Sequence, residues 1–331
     1  MKKQKKTIHA GAAIHNLGDR LKTYHKEMTS AQKCENINDP VDAHFFDALA
    51  NVWTRLFIKL GIVPNAVTIL SMISGVAGGV LIAFHTLPLT IVGVVLVLMS
   101  AIFDCSDGQV ARRTRHFSKI GRLLDGFSDA TVYFTVTAAT AIRAAQHCPI
   151  DNRTLWSVGV GVVAFVIYLM YIRQCQLADY FKNVYMYMID NTRGNELSRA
   201  KTIRAQRDAA PKGSFDRFSL TCYAMYTKTQ ERRAKQTQQM LDKVERLGKT
   251  DLISNTYHKR ALRLVQLTNL MTFNLRTAVL ILLLFLHWEV WLFAFVVVVL
   301  EPIRRILLWK FEQLARELQE DRYYALKAKK R

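Results

Sequence analysis

Six apolar runs, at residues 64–84, 87–103, 125–145, 155–173, 264–286 and 288–309, constrain this 331-residue chain more than any other feature. A helix needs about 20 residues to cross the hydrocarbon core of a bilayer, and each run is near that length. The second is short unless it tilts or continues into the acidic segment that follows it. None of the runs alternates with period two, and a spanning segment must satisfy its backbone hydrogen bonds internally, so they read as helices and not as barrel strands. The expected fold is an all-α integral membrane protein with six transmembrane helices.

Charge orients those helices. Lys and Arg outnumber Asp and Glu by 46 to 26, for a formal net charge of +20. In a chain this apolar the anionic partner is expected to be membrane lipid headgroups or phosphorylated substrates, and no nucleic acid. Basic residues crowd the N-terminal region, residues 112–122, residues 182–263 and the C-terminal tail, while the other loops carry few. The positive-inside rule then places both termini in the cytoplasm. The N-terminus has no apolar core or small-residue cleavage site, so it does not read as a secretory signal. The five cysteines, Cys34, Cys105, Cys148, Cys175 and Cys222, have no metal-ligand spacing and are expected to be free thiols.

The chain divides into four parts on this reading. Residues 1–61 form a basic N-terminus and, over 42–61, a helix with Arg55 and Lys59 between its apolar residues. That helix either lies in the membrane interface or is packed on the protein's own core. Residues 62–173 carry the first four spans, 174–263 form a basic cytoplasmic helical insertion, and 264–331 carry the last two spans and the tail.

The segment 104-DCSDGQVARRTRHFSKIGRLLDGFSD-129 sets four aspartates between the second and third runs. On a helix, Asp104, Asp107, Gly108, Ala111 and Arg112 form one stripe, and Gly121, Asp125 and Asp129 form another, spaced by four. Two such helices would bring four carboxylates into one cleft, and like charges that close do not all stay ionised without a cation. Oxygen-only ligands suit Mg²⁺, Mn²⁺ or Ca²⁺ better than zinc, and a carboxylate cluster that handles phosphate argues for Mg²⁺ or Mn²⁺, one ion or two. Gly108, Ala111 and Gly121 are small enough for a bulky ligand to approach, and Arg112 suits a diphosphate. The competing structural account pairs the aspartates with Arg112, Arg113, Arg115 and Arg122 in a membrane-surface ion network.

These residues resemble the signature of the CDP-alcohol phosphotransferase family, D-x-x-D-G-x-x-A-R, eight residues, then G-x-x-x-D-x-x-x-D, with every fixed position filled. PNAVT at residues 64–68 is similar to the family's P-N-x-x-T. The resemblance implies an enzyme that moves a phosphoryl-bearing group from a CDP-linked donor to an alcohol and releases CMP. It implies that Asp104, Asp107, Asp125 and Asp129 hold the metal ions, with Asp129 also the general base, and that Asn65, Thr68, Asp107, Gly108, Ala111, Arg112 and Gly121 border the CDP moiety. It also implies a possible homodimer and, from likeness to bacterial members, an inner membrane with the site facing the cytoplasm.

The acceptor is less sharply written. Arg173, in YIRQ, looks like the Y-x-R of phosphatidylinositol-phosphate synthases, and Arg276 is a second cation inside a span. Intramembrane arginines are expensive, so both point to an anionic polar alcohol such as inositol phosphate, with CDP-diacylglycerol as donor. The stretch DGQVARRT also resembles choline/ethanolamine phosphotransferases, which use a CDP-alcohol and diacylglycerol. A divalent-cation transporter is the alternative of another class; it would need acidic residues continuing through several spans. Only Glu289 and Glu301 lie in or beside the last span, and the sequence shows no partner for either.

Overall fold

A computed structural model describes residues 37, 45–116, 119–147, 149, 151–189, 197 and 199–324. The basic stretch at residues 1–36, Cys34, Cys148 and the tail at residues 325–331 lie outside the described residues. The chain divides into units Met1–Asn38 and Asp39–Arg331, and the architecture below is that of the second.

Among the described residues there is no strand. We number the helices α1 (Asp47–Lys59), α2 (Pro64–Ala83), α3 (Leu87–Thr114), α4 (Lys119–Gln146), α5 (Arg153–Ile189), α6 (Ala200–Ala209), α7 (Phe215–Arg233), α8 (Lys235–Leu247), α9 (Asp251–Thr268), α10 (Phe273–Phe285), α11 (Val290–Phe295) and α12 (Glu301–Glu317). Proline sets two of the starts: Pro64 and Pro88 fall in the first turns of α2 and α3, where a missing N–H costs nothing. A π-helical turn, Val296–Leu300, joins α11 to α12. Pro302 explains it: its ring cannot donate to the carbonyl four residues back, and the ladder widens ahead of it.

Among the described residues, four segments are long and apolar enough to span a membrane: Pro64–Ala83, Leu87–Thr114, Arg153–Ile189 and Asp251–Phe285. The third and sixth sequence runs are not among them. The run in α4 is diluted by Asp125, Asp129, Arg143 and several threonines, and the last run is broken by the π turn into pieces too short to count alone. Several helices also exceed their apolar runs. The helix holding Arg173 does not stop there but continues to Ile189, because Leu177, Phe181, Val184, Tyr185 and Met188 keep a buried face at helical spacing.

Helix α2 is the centre of the arrangement. It packs against both α3 and α4, while those two touch each other sparingly among the described residues. Close approach is possible because α2 is lined with glycine. A Cβ on Gly78 would lie 2.6 Å from the Gly93 carbonyl oxygen on α3, and one on Gly75 would lie 2.5 Å from Val132 on α4. Ser71 donates to the Ser100 carbonyl at 2.8 Å and Ser74 to that of Leu96 at 2.9 Å, which ties α2 to α3 along its length. With α2 packed on both, α3 and α4 bring their aspartates together, and the space between those carboxylates is the cleft.

Helix α1 packs on the protein's own core. Ala50, Thr54 and Phe57 are buried against α3, with Phe57 and Trp53 edge-on to Phe103. Val52, Leu56 and Leu60 are exposed on the other side.

Candidate active site

The signature helix α3 is held from behind so that its acidic stripe faces the cleft. Gln109 donates to the Asp47 carbonyl and carboxylate, both at 3.2 Å, and Arg113 donates to Asn51 at 2.6 Å. Ser106, fully buried, donates to its own helix at Ile102 at 2.7 Å. The residues between the aspartates therefore anchor α1, and the aspartates are left to point the other way.

Asp104 and Asp107 on α3 and Asp125 on α4 each bring a carboxylate oxygen within 4.8 Å of the others. Asp107 is buried, and the Thr68 hydroxyl of α2 donates to its Oδ2. The sequence placed Thr68 beside the CDP moiety; the geometry places it on a carboxylate, fixing its orientation. One oxygen of Asp104, Oδ1, is enclosed with no hydrogen-bond partner. No ion pair joins Asp104 or Asp107 to Arg112, Arg113 or Arg115 among the described residues, so the surface-network account of these two is not met. Arg122's side chain is outside the described residues. Three converging carboxylates with an orphaned oxygen fit a hard divalent cation, which takes oxygen ligands and cancels their mutual repulsion.

Asp129 stands apart from that close group. It lies one turn beyond Asp125 on α4, outside the group of oxygens within 4.8 Å, yet within electrostatic range of Asp104, Asp107 and Asp125. Gly108 and Ala111 are partly buried, and Arg112 is exposed with its guanidinium folded back so that a Cβ on Gly108 would meet it at 3.2 Å. Asn65 and Gly121 are partly buried on the same side of the bundle as Thr68 and Asp125 respectively.

The two arginines assigned to the acceptor part company. Arg276 on α10 is 3% exposed and lies deeper than Asp129: it donates to the hydroxyl of Tyr133, one turn past Asp129 on α4, at 3.1 Å. Its other terminal nitrogen donates to Gln174 Oε1, and its guanidinium sits 4.9 Å from the centre of the Tyr171 ring. Its Nε is buried with no hydrogen-bond partner. Arg173 instead is exposed and lines a small cavity with Arg233 of α7 and Arg304 of α12, facing the insertion. Tyr133, Tyr171 and Gln174 escaped the sequence reading, although Tyr133 continues the Asp125, Asp129 spacing by four.

Glu289 and Glu301 do have partners. Arg143 Nε donates to Glu289 at 2.7 Å, and Glu301 receives Arg304 at 2.6 Å and Arg305 at 3.1 Å. Gln174 Nε2 donates to Glu301 at 3.5 Å, which turns its carbonyl oxygen toward Arg276. Neither glutamate continues an acidic path away from the cleft, so the transporter reading loses its requirement.

The fold is that of a helical membrane protein in which three carboxylates converge closely enough to hold a metal ion. Residues 61–191, less than half of the chain, match the family model for CDP-alcohol phosphatidyltransferase, and this segment is a domain of that family. Its members are transferases of substituted phosphate groups, are divalent-metal dependent in general, and use a CDP-alcohol donor and an alcohol acceptor within the membrane. No curated protein and no solved structure matches the chain significantly.

Proposed function

We propose that the protein transfers the phosphatidyl group of CDP-diacylglycerol to a hydroxyl of inositol phosphate, releasing CMP, with Mg²⁺ or Mn²⁺ at the carboxylates. The observation that carries the chemistry is the convergence of Asp104, Asp107 and Asp125, with Thr68 holding Asp107 in place. These three residues would hold the metal, two ions in the fuller form of the site. When bound, the metal supplies positive charge at the diphosphate, stabilising the charge that develops as CMP departs. Asp129, outside the close group, would take the proton of the acceptor hydroxyl as its oxygen bonds to the phosphatidyl phosphorus and the bond to CMP breaks. Gly108, Ala111, Arg112, Gly121 and Asn65 would border the nucleotide.

An anionic acceptor is supported by Arg276, which is buried one turn beyond Asp129 among neutral partners and retains an unpartnered Nε. An acceptor phosphate would supply the missing counter-charge. Arg173, with Arg233 and Arg304, would attract the same anion from the cytoplasmic side.

The six-span reading belongs to this proposal. Ile82 of α2, Val97 of α3, Val136 of α4, Leu284 of α10 and Leu292 of α11 share one apolar cluster, and Ile167 of α5 joins Val296 and Leu300 in another. Every one of these segments also exposes apolar side chains outward: Val80, Val95, Phe134, Val162, Leu282 and Val298. That is the two-sided apolarity lipid demands. We place the active site on the cytoplasmic side of an inner membrane, with residues 1–61, 62–173, 174–263 and 264–331 as the four parts.

The test is CMP release from CDP-diacylglycerol in membranes with Mg²⁺ or Mn²⁺, supplying inositol phosphate, inositol, glycerol phosphate and serine separately. Release with inositol phosphate alone is expected, and Asp129→Asn is expected to abolish it. Turnover of CDP-choline or CDP-ethanolamine with diacylglycerol, and none with CDP-diacylglycerol, would overturn the donor assignment.

A further inference from the structure

At the opposite end of the bundle from the aspartates, three loop or helix-end histidines meet a buried carboxylate. His85 follows α2, His147 follows α4, and His287 and Glu289 lie between α10 and α11. The rings of His85 and His287 stack with centres 5.3 Å apart, and those of His85 and His147 lie 4.8 Å apart. Counting 1.5 Å per helical residue from Leu87 to Asp104, this cluster is roughly 25 Å from the carboxylate cleft. The two are separate sites.

We propose that His85, His287 and Glu289 bind a borderline divalent transition-metal ion, of which Zn²⁺ is the type. One ligand atom from each of the three lies within 4.8 Å of the others, and His85 Nε2 is 3.9 Å from Glu289 Oε1. His85 Nε2 is fully enclosed and has no hydrogen-bond partner, so a buried lone pair or N–H points at nothing but this cluster. A metal would satisfy it.

The backbone adds its own argument. His85 and His287 both adopt left-handed conformations, with φ of 58° and 57°, immediately after the last residues of α2 and α10. Glycine or asparagine is the usual occupant of that position, and a ring-bearing side chain there costs about 1 kcal/mol or more. The turn explains the conformation; it does not explain why both positions carry imidazole.

The surroundings are arranged as outer partners of a metal site. Arg143, 1% exposed, donates to Glu289 Oε1 at 2.7 Å and is itself fixed by Thr90 at 2.8 Å and the Ile82 carbonyl at 3.2 Å. It holds the carboxylate as a hydrogen-bonded acid holds a ligating group elsewhere. His147 Nδ1 lies 3.3 Å from the Arg143 carbonyl oxygen, which only accepts. That contact holds the His147 ring beside His85, outside the close group of ligand atoms.

Nitrogen donors distinguish this site from the oxygen-only cleft: Zn²⁺ prefers the first, Mg²⁺ the second. A bound ion would clip together the turn before α3 and the turn before α11, stabilising the bundle without touching the reaction.

The full chain, purified in detergent, would be loaded with Zn²⁺, dialysed against excess Mg²⁺ and analysed for metal. Wild type is expected to retain one equivalent of zinc and Asp104→Asn the same. The double variant His85→Gln, His287→Gln is expected to lose it, with affinity at least about tenfold weaker by chelator competition. Zinc retained by that variant, or none retained by wild type, overturns the proposal. Should the variant fold poorly, wild type loaded with Co²⁺ decides alone. Intense visible bands of a four-coordinate nitrogen-ligated ion are expected, and only the weak bands of octahedral oxygen coordination would overturn the assignment.

Discussion

Two buried arginines, Arg143 and Arg276, sit in the same bundle in opposite states of satisfaction. Arg143 pairs with Glu289 and donates to Thr90 and to the carbonyls of Ile82 and, at 3.5 Å, Leu284. Arg276 has only neutral acceptors, Tyr133 and Gln174, two aromatic faces and an idle Nε. Among the described residues no carboxylate pairs with it. A charge withdrawn from water needs a partner, and one left without its own in the protein has room for the charge of a ligand. Burial alone therefore does not separate structure from function; the completeness of the partners does.

The largest effect should come from the satisfied arginine. Arg143→Ala leaves Glu289 buried and uncompensated, and should cost about 3–5 kcal/mol of stability. Thermal unfolding in detergent with chelator reads it, and Arg143→Met combined with Glu289→Leu should recover most of the loss. An Arg143→Ala protein as stable as wild type would break the comparison from its structural side.

Arg276→Met should behave the other way. Losing charged hydrogen bonds to an acceptor phosphate is worth about 1.5–3 kcal/mol, or roughly 10- to 150-fold in kcat/KM, with the unfolding temperature nearly unchanged. The loss should fall on KM for inositol phosphate, with KM for CDP-diacylglycerol unchanged. An equal loss for both substrates together with a lowered unfolding temperature would make Arg276 a structural residue like Arg143.

Thr68→Val removes the hydroxyl that orients Asp107 and should weaken activating Mg²⁺ or Mn²⁺ about tenfold, read as a shift in the metal concentration for half-maximal CMP release. The smallest effect belongs to the outer end of the chain of contacts that turns Gln174 toward Arg276. Arg305, 74% exposed, pairs with Glu301 at the surface, and Arg305→Ala should change stability by less than about 0.5 kcal/mol and leave turnover intact. A large loss there would mean that Glu301 depends on both arginines to hold Gln174.

The aspartate signature was legible because helical spacing is a local property. Asp104 and Asp107 share a stripe by their positions alone, and so do Asp125 and Asp129. The same logic found the apolar runs, since transfer to lipid is decided residue by residue over a window. It reads a window less sharply where the window hides a break: the π turn ahead of Pro302 and the polar dilution of α4 leave four segments among the described residues that qualify by length and apolarity alone.

The sequence by itself determined the helical class, the apolar length of the segments and the carboxylate stripe, all of them consequences of short-range periodicity and composition. Only the tertiary structure decided that Thr68 serves Asp107, that Asp129 stands outside the close group, and that Arg173 and Arg276 face different places. It also decided that Glu289 belongs to Arg143, 146 positions away, beside three histidines from three different turns. Those facts depend on the glycine-lined face of α2 drawing α3 and α4 against it and on how the later helices close the bundle. Contacts between residues far apart in the chain leave no period to read; they exist only once the helices have found their neighbours.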